Sequence, residues 1–569
     1  MWKTPLALLN KRTQTQKTSA LFRFSEERDL IISEVSRRVY KEYLSMARQR
    51  EDAALEYVLN DAAFKELSRL ANEQGPEEEI RSRGWWLRMS KSLSETSEQS
   101  RRETLKALID AYTEDIAGQF NPSVYQLATR ALPVGLGVLF KAQDLQDLPG
   151  ALPQADQILK QLRNLDDRLV FQGEIDTLQE LSEKGTLLFV PTHSSNMDSI
   201  LLGYSLYATG LPPVTYGAGK NLFSNPMTSF FMHNLGAYKV DRRIRHGLYM
   251  NILKTYSQVL LERGYHSLFF PGGTRCRSNV VEQRLKLGLL GTSVQAYTRA
   301  LIQKRKEHKI FICPITINYN LVLEAESLIR DHLRQEGGSR YFLEQDEFDQ
   351  LSTIARFVMN TMRMDSTTIL RFGQPMDPFG NRVELDAQSY DTHGRRVDPV
   401  DYVRSARTGE VCEDIYRDRE YTAYAGAQIA KQFKRHTVIM PTQLVSHVLL
   451  AFVRERFPHW DMYRLLRMGG EEVISWEDLR QGCAALIEEL KKLGQQGKLF
   501  LAPMIKSERP AKIAEEGIDY LRMFHIPEAV DFHPEGIRLD RLDLLHFYAN
   551  RLAGYGIDDK KWLRASRKI

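Results

Sequence analysis

Five short β-rich runs alternating with helical stretches constrain this chain more than any other feature. LLFVP (187–191), PVTYGAG (213–219), SLFFP (267–271), IFICPITI (310–317) and TTILRFG (367–373) are strand-sized and end at Pro, Gly or polar residues. Helical patterns fill 245–263 and 282–304 between them. This rhythm argues an α/β layer fold with a mixed sheet of alternating strands and helices across 151–380.

The flanks read differently. In residues 24–72, Leu30, Ile31, Val35, Val39, Tyr40, Tyr43 and Leu44 recur at helical intervals with charges between them. Charged helical text resumes at 97–130, so 1–150 is expected to be a mainly helical N-terminal region. RALPVGLGVLFKA (130–142) reads as a buried helical hairpin, with membrane contact as the sharper alternative. Residues 378–415, rich in Asp, Arg and Gly, are expected to form an exposed excursion. From 419 the pattern is helical to near 500, which makes 381–569 a mainly helical C-terminal region closed by the basic tail KKWLRASRKI.

Composition narrows the function classes. A net charge of +5 in 569 residues is too small an excess for nucleic-acid binding, but it suits phosphate esters, anionic lipid or an acidic carrier protein. The four cysteines (276, 313, 412, 483) are scattered, which fits a reducing compartment and offers neither a disulfide framework nor a metal site. The basic start MWKTPLALLNKRTQTQK is too short in apolar residues for a signal peptide. No run approaches the roughly 18 apolar residues of a membrane span, so any lipid contact is expected from outside the bilayer.

Chemistry is expected just beyond the first of the five strands. TLLFVPTHSSNMDSI (186–200) delivers His193 and Asp198 past the strand's carboxyl end, where open α/β sheets carry their sites. An imidazole held by a carboxylate within one turn is a ready general base. The bland alternative is a helix N-terminus that Ser194, Ser195 and Asp198 merely cap. A second H-x4-D pair, His393 and Asp398, follows no buried strand and reads as a solvated loop. Lys220 in GAGKN resembles part of a phosphate loop. Val214 stands where the first Gly of that motif belongs and Asn221 replaces its Ser or Thr, so nucleoside triphosphate binding is rejected.

Four blocks in order carry a wider resemblance. They are His193/Asp198; Gly236, Val240 and Arg242 in NLGAYKVDRR; Phe270, Pro271, Gly273, Thr274, Arg275, Arg277 and Ser278 in SLFFPGGTRCRSN; and Pro314 in FICPITINYN. Over about residues 165–330 the chain resembles the glycerolipid acyltransferases, specifically the glycerol-3-phosphate acyltransferase branch. At 272 and 194 the chain departs from the pattern. Gly272 stands where most members carry Glu in the third block, and Ser194 where this branch usually has Arg. Glu535 in FHPEGIR has no comparable context and reads as coincidence.

The resemblance implies transfer of a fatty acyl chain from acyl-CoA or acyl carrier protein to the sn-1 hydroxyl of glycerol 3-phosphate, giving lysophosphatidic acid. His193 is then the base and Asp198 its orienter. Arg275 and Arg277 would cradle the phosphate, with Gly273 and Thr274 forming their turn and Arg242, Arg243 and Lys220 behind them. The thioester is already activated, so no cofactor, metal or enzyme nucleophile is required, and the Gly-x-Ser-x-Gly elbow is absent. The expected setting is cytoplasmic, peripheral to the inner face of the cell membrane. Dihydroxyacetone phosphate or lysophosphatidic acid are the alternative acceptors, and a non-catalytic lipid-binding scaffold of the same fold is the rival class.

Overall fold

A computed structural model describes residues 19–50, 53–72, 82–129, 169–223, 226–305, 308–336, 367–466, 472–525 and 527–567. The run 130–142 therefore lies wholly outside the described residues. Among those residues the first helices are α1 (Phe24–Arg50), α2 (Ala53–Asn72), α3 (Arg83–Ser92) and α4 (Glu98–Ile116). The α/β unit then runs β1 (Leu169–Gly173), α5 (Ile175–Lys184), β2 (Thr186–Pro191), α6 (Asp198–Ala208), β3 (Thr215–Gly219) and α7 (Pro226–Asn234). It continues through β4 (Ala237–Val240), α8 (Gly247–Glu262), β5 (Ser267–Leu268), α9 (Leu287–Ile302), β6 (Ile310–Tyr319), α10 (Ala325–Glu336) and β7 (Thr368–Phe372).

These seven strands form one mixed sheet in the order β1-β7-β6-β2-β5-β3-β4. Strands β2 to β6 run parallel, and β7 turns antiparallel against β6 while pairing parallel with β1. The two long central strands explain the continuous apolar runs. Every residue of β2 and of β6 is buried, because helices cover both faces of a parallel sheet. Their register, Thr186↔Ile310 through Pro191↔Ile315, brings the carboxyl ends of β2 and β6 side by side. That edge carries the site.

The N-terminal helices do not stand apart. Leu21, Val35, Val39, Leu105 and Ile109 share one apolar cluster with Ile252, Tyr256 and Val259 of α8. A two-pronged ion pair sits within this contact: Arg38 donates to Glu262 from Nη1 at 2.9 Å and from Nη2 at 2.6 Å.

After β7, residues 378–415 differ from the expected excursion. Short strands β8 (Arg382–Val383), β9 (Ser389–Tyr390) and β10 (Arg396–Val397) pair antiparallel, and Phe379, Val383 and Val403 are buried. Buried apolar anchors, Phe379, Val383, Ala387 and Val403 among them, pin a segment otherwise rich in polar residues. The remaining helices include α11 (Ile415–His436), α12 (Pro441–Arg456), α13 (Met462–Leu466), α14 (Trp476–Gln495), α15 (Pro503–Ser507), α16 (Pro510–Phe524), α17 (Leu542–Ala549) and α18 (Asp559–Ser566). Helix α12 is buried along nearly its whole length. Its Leu444, Val448 and Leu449 share a core with Phe189 and Ile315 of the sheet, so one apolar core crosses residue 380.

Candidate active site

Strand β2 ends at Pro191, and the chain is caught at once. Thr192 donates its N–H to the Ile315 carbonyl at 2.9 Å, and its hydroxyl accepts from Ile317 N at 3.0 Å. The next residues wrap around the first side chain of α6. Oδ2 of Asp198 accepts from His193 Nδ1 at 2.8 Å, Ser194 N at 2.7 Å and Ser195 N at 2.9 Å. Oδ1 accepts from the Tyr319 hydroxyl at 2.5 Å. Four donors fix this fully buried carboxylate.

The carboxylate thus ties down the loop before α6, not the helix's own N–H groups. Asp198 holds the loop backbone and also orients the imidazole. Because a carboxylate only accepts, Nδ1 must carry the proton, which leaves Nε2 as the basic nitrogen. The imidazole stacks on Phe270, with ring centroids 4.0 Å apart and planes 21° from parallel. Burial lowers the His193 pKa below its ordinary value of 6.5, opposed by Asp198 and assisted by the cationic Arg275 and Arg242. His193 is therefore neutral at physiological pH.

The third block closes over this loop. Cys276 N donates to the His193 carbonyl at 2.7 Å. Gly273 adopts φ +75°, a conformation that favours glycine, and its N–H donates to Phe270 O at 3.0 Å to tighten the turn. Half-buried Thr274 follows, and the turn sets Arg275 and Arg277 beside the base loop. Arg275 lies 3.6 Å from Glu324, and Arg277 lies 3.6 Å from Asp331 on α10.

Desolvation, with Arg275 and Arg277 close by, pulls the Arg242 pKa below its usual value. Lys286 is lowered likewise by desolvation and then by Arg242, Arg245 and Arg277. Repulsion of this kind marks a place where cations converge without enough carboxylate between them, which suits an anionic ligand. Arg277 and Ser278 also border a cavity of about 220 Å³ whose walls include Ile329, Leu333, Leu466 and Phe547.

Lys220 and Arg243 were expected behind the cradle. The structure instead draws both onto Asp241, at 3.6 Å and 3.0 Å. Asp241 lies next to Arg242 in the chain, and its neighbour at 243 folds back on it through both Nε and Nη2. One carboxylate thus faces two cations there. His393 is exposed, and Asp398 accepts from Val400 N at 3.0 Å as a helix cap, so this second pair forms no site.

Three site carboxyl or hydroxyl groups escaped the sequence reading. Tyr319 closes β6. Glu324, fully buried, accepts from Ser195 Oγ at 2.8 Å and Asn196 N at 2.9 Å and so bridges the base loop to Arg275. Glu282 accepts from His193 N at 3.4 Å. The position of Tyr319 and Glu324 at the carboxyl end of a strand was the available signal; Glu282 had none.

A histidine–aspartate pair at a strand end thus stands beside an arginine turn on a mixed α/β sheet. Residues 173–318 match the acyltransferase family model, and this stretch of the chain is an acyltransferase-family domain. Within that family the chain is similar to the glycerol-3-phosphate acyltransferases. The protein of that name from Haemophilus ducreyi is 32% identical over 188 residues, 32% of this chain and 22% of the relative. The Aeromonas hydrophila protein is 29% identical over 203 residues, 35% of this chain and 23% of the relative. The Pseudomonas fluorescens protein is 26% identical over 299 residues, covering 52% and 32%. The chain thus spans about a fifth to a third of the length of these relatives.

Proposed function

We propose that the chain is an O-acyltransferase that moves a fatty acyl group from a thioester, acyl-CoA or acyl carrier protein, to the sn-1 hydroxyl of glycerol 3-phosphate. The product is lysophosphatidic acid, a precursor of phospholipids. The observation that carries this reading is the His193–Asp198 pair, its Nε2 basic, beside the cluster of Arg242, Arg275, Arg277 and Lys286.

The chemistry follows from the geometry. Nε2 of His193 takes the proton of the acceptor hydroxyl as its oxygen bonds to the thioester carbonyl carbon. The imidazolium is stabilised by Asp198, itself held by the Tyr319 hydroxyl and two backbone N–H groups. The tetrahedral adduct collapses with cleavage of the C–S bond, and the imidazolium returns the proton to the leaving thiolate. Arginine forks hold the phosphate and thereby fix the hydroxyl near the base. The names of the similar proteins favour glycerol 3-phosphate over dihydroxyacetone phosphate or lysophosphatidic acid. The intact pair favours an enzyme over a silent scaffold.

Among the described residues no helix is long and apolar enough to cross a membrane. Contact with the cytoplasmic face of the cell membrane through the surface of the protein is the reading that suits a lipid product. The apolar-walled cavity that Arg277 borders is suited to part of an acyl chain.

The experiment is direct. Purified protein is given labelled glycerol 3-phosphate with palmitoyl-CoA or palmitoyl-acyl carrier protein, and products are separated by chromatography. Labelled lysophosphatidic acid with wild type and none with His193→Ala is expected. No acylated product with either donor, from a folded protein, refutes the assignment.

A further inference from the structure

Glu282 lies in the segment between the arginine turn and α9, 89 residues from the histidine it touches. Its Oε1 accepts from the His193 backbone N–H at 3.4 Å. The same oxygen lies 2.4 Å from where a Cβ on Gly272 would stand, and Glu282 Cδ lies 2.9 Å from that point. A side chain at 272 and the carboxyl of Glu282 therefore compete for one volume. Oε2 is buried and has no hydrogen-bond partner among the described residues. Nothing in the mechanism above uses this group.

We propose that Glu282 is a positioning residue for the base: its carboxyl group, seated over Gly272, holds the His193 backbone. This rests on the assignment of His193 as the base. The groups facing it are Asp198 from α6, the Cys276 thiol from the turn, Arg551 from beyond α17 and the His193 backbone. Burial raises the Glu282 pKa to about 8, against the His193 N–H and Arg551 and with Asp198 adding to the rise. At neutral pH the group is a carboxylic acid, so glutamine is its close mimic.

The test uses the full chain, with acyl transfer from palmitoyl-CoA to glycerol 3-phosphate followed from about pH 5 to 9. Glu282→Ala is expected to lower kcat by about 30-fold while KM for glycerol 3-phosphate moves less than about threefold. Glu282→Gln is expected to restore most of that loss. Gly272→Ala, which crowds the carboxyl, should cost about as much as Glu282→Ala, and the double variant should cost no more than either.

A substrate-free readout separates this proposal from the proposed function. The Nδ1–H resonance of His193, assigned by its loss in His193→Ala, should move in Glu282→Ala and return in Glu282→Gln. Wild-type kcat in Glu282→Ala, no recovery in Glu282→Gln, additive losses in the double variant or an unmoved resonance would each overturn it. Failure of the activity assay with wild type, by contrast, removes the acyltransferase reading and leaves the resonance test standing.

Discussion

Replacing Asp198 by Asn isolates the charge of the pair from its geometry. The amide oxygen can take the place of Oδ2 and accept from His193 Nδ1, Ser194 N and Ser195 N. Its NH2 then stands at the place of Oδ1 and donates to the Tyr319 hydroxyl, which turns to accept. The Nδ1–H tautomer is kept, and the Tyr319 O–H that loses its acceptor costs about 1–3 kcal/mol, so the variant should fold with reduced stability. What is lost is the attraction between carboxylate and imidazolium. At a charge separation of about 4 Å and an effective dielectric constant of about 20 this is about 4 kcal/mol, or about a thousandfold in rate.

The sign on the pH axis is also fixed. Wild-type His193 already titrates below 6.5 because burial outweighs Asp198. The enzyme is active with the neutral imidazole, so kcat/KM is flat above that pKa and falls as pH drops through it. Without the carboxylate the imidazolium is less stable still, and the inflection should move to lower pH. The assay is kcat/KM against pH, corrected for the substrate dianion, with circular dichroism to verify folding. His393→Ala and Asp398→Ala serve as controls and should be silent. Activity within tenfold of wild type, or an inflection moved to higher pH, would falsify the base–orienter assignment.

Arg277→Ala should raise KM for glycerol 3-phosphate by roughly 10- to 150-fold and leave KM for the donor nearly unchanged, since one charge-assisted contact is worth about 1.5–3 kcal/mol; an effect confined to the donor would move this arginine to the donor's phosphates. Arg38→Met should cost about 3–5 kcal/mol of stability by leaving Glu262 buried without its two-pronged partner. Adding Glu262→Met should recover much of that loss, and chemical denaturation measures both; full stability in the single variant contradicts the buried pair. Acid should unfold the protein early. His246 and His266 are buried with pKa values lowered to about 4, and His525 to about 3, each chiefly by desolvation. The unfolded chain binds protons at about 6.5 and the folded chain does not, so stability is intact above 6.5 and is lost as pH falls toward 4. A melting temperature unchanged between pH 7 and 5 would refute this.

Short-range pattern determined much of this protein by itself. Apolar runs long enough for a buried strand and too short for a helix specify the α/β core, because burial on both faces leaves no room for polar residues. The H-x4-D spacing places His193 and Asp198 within one turn in any helix start, and Gly273 with Arg275 and Arg277 sits in one turn of chain. Tertiary structure alone decided what holds and surrounds those groups. Tyr319 reaches Asp198 across 121 residues, Glu324 reaches Ser195 across 129, and Glu282 reaches His193 across 89. It also decided which carboxylate each cation meets: Asp241 takes Lys220 and Arg243, Glu324 takes Arg275 and Asp331 takes Arg277. Separations of that length carry no periodicity. Such partners meet only because the register of β2 with β6 brings two strand ends together, and that register is fixed by the packing of the whole sheet.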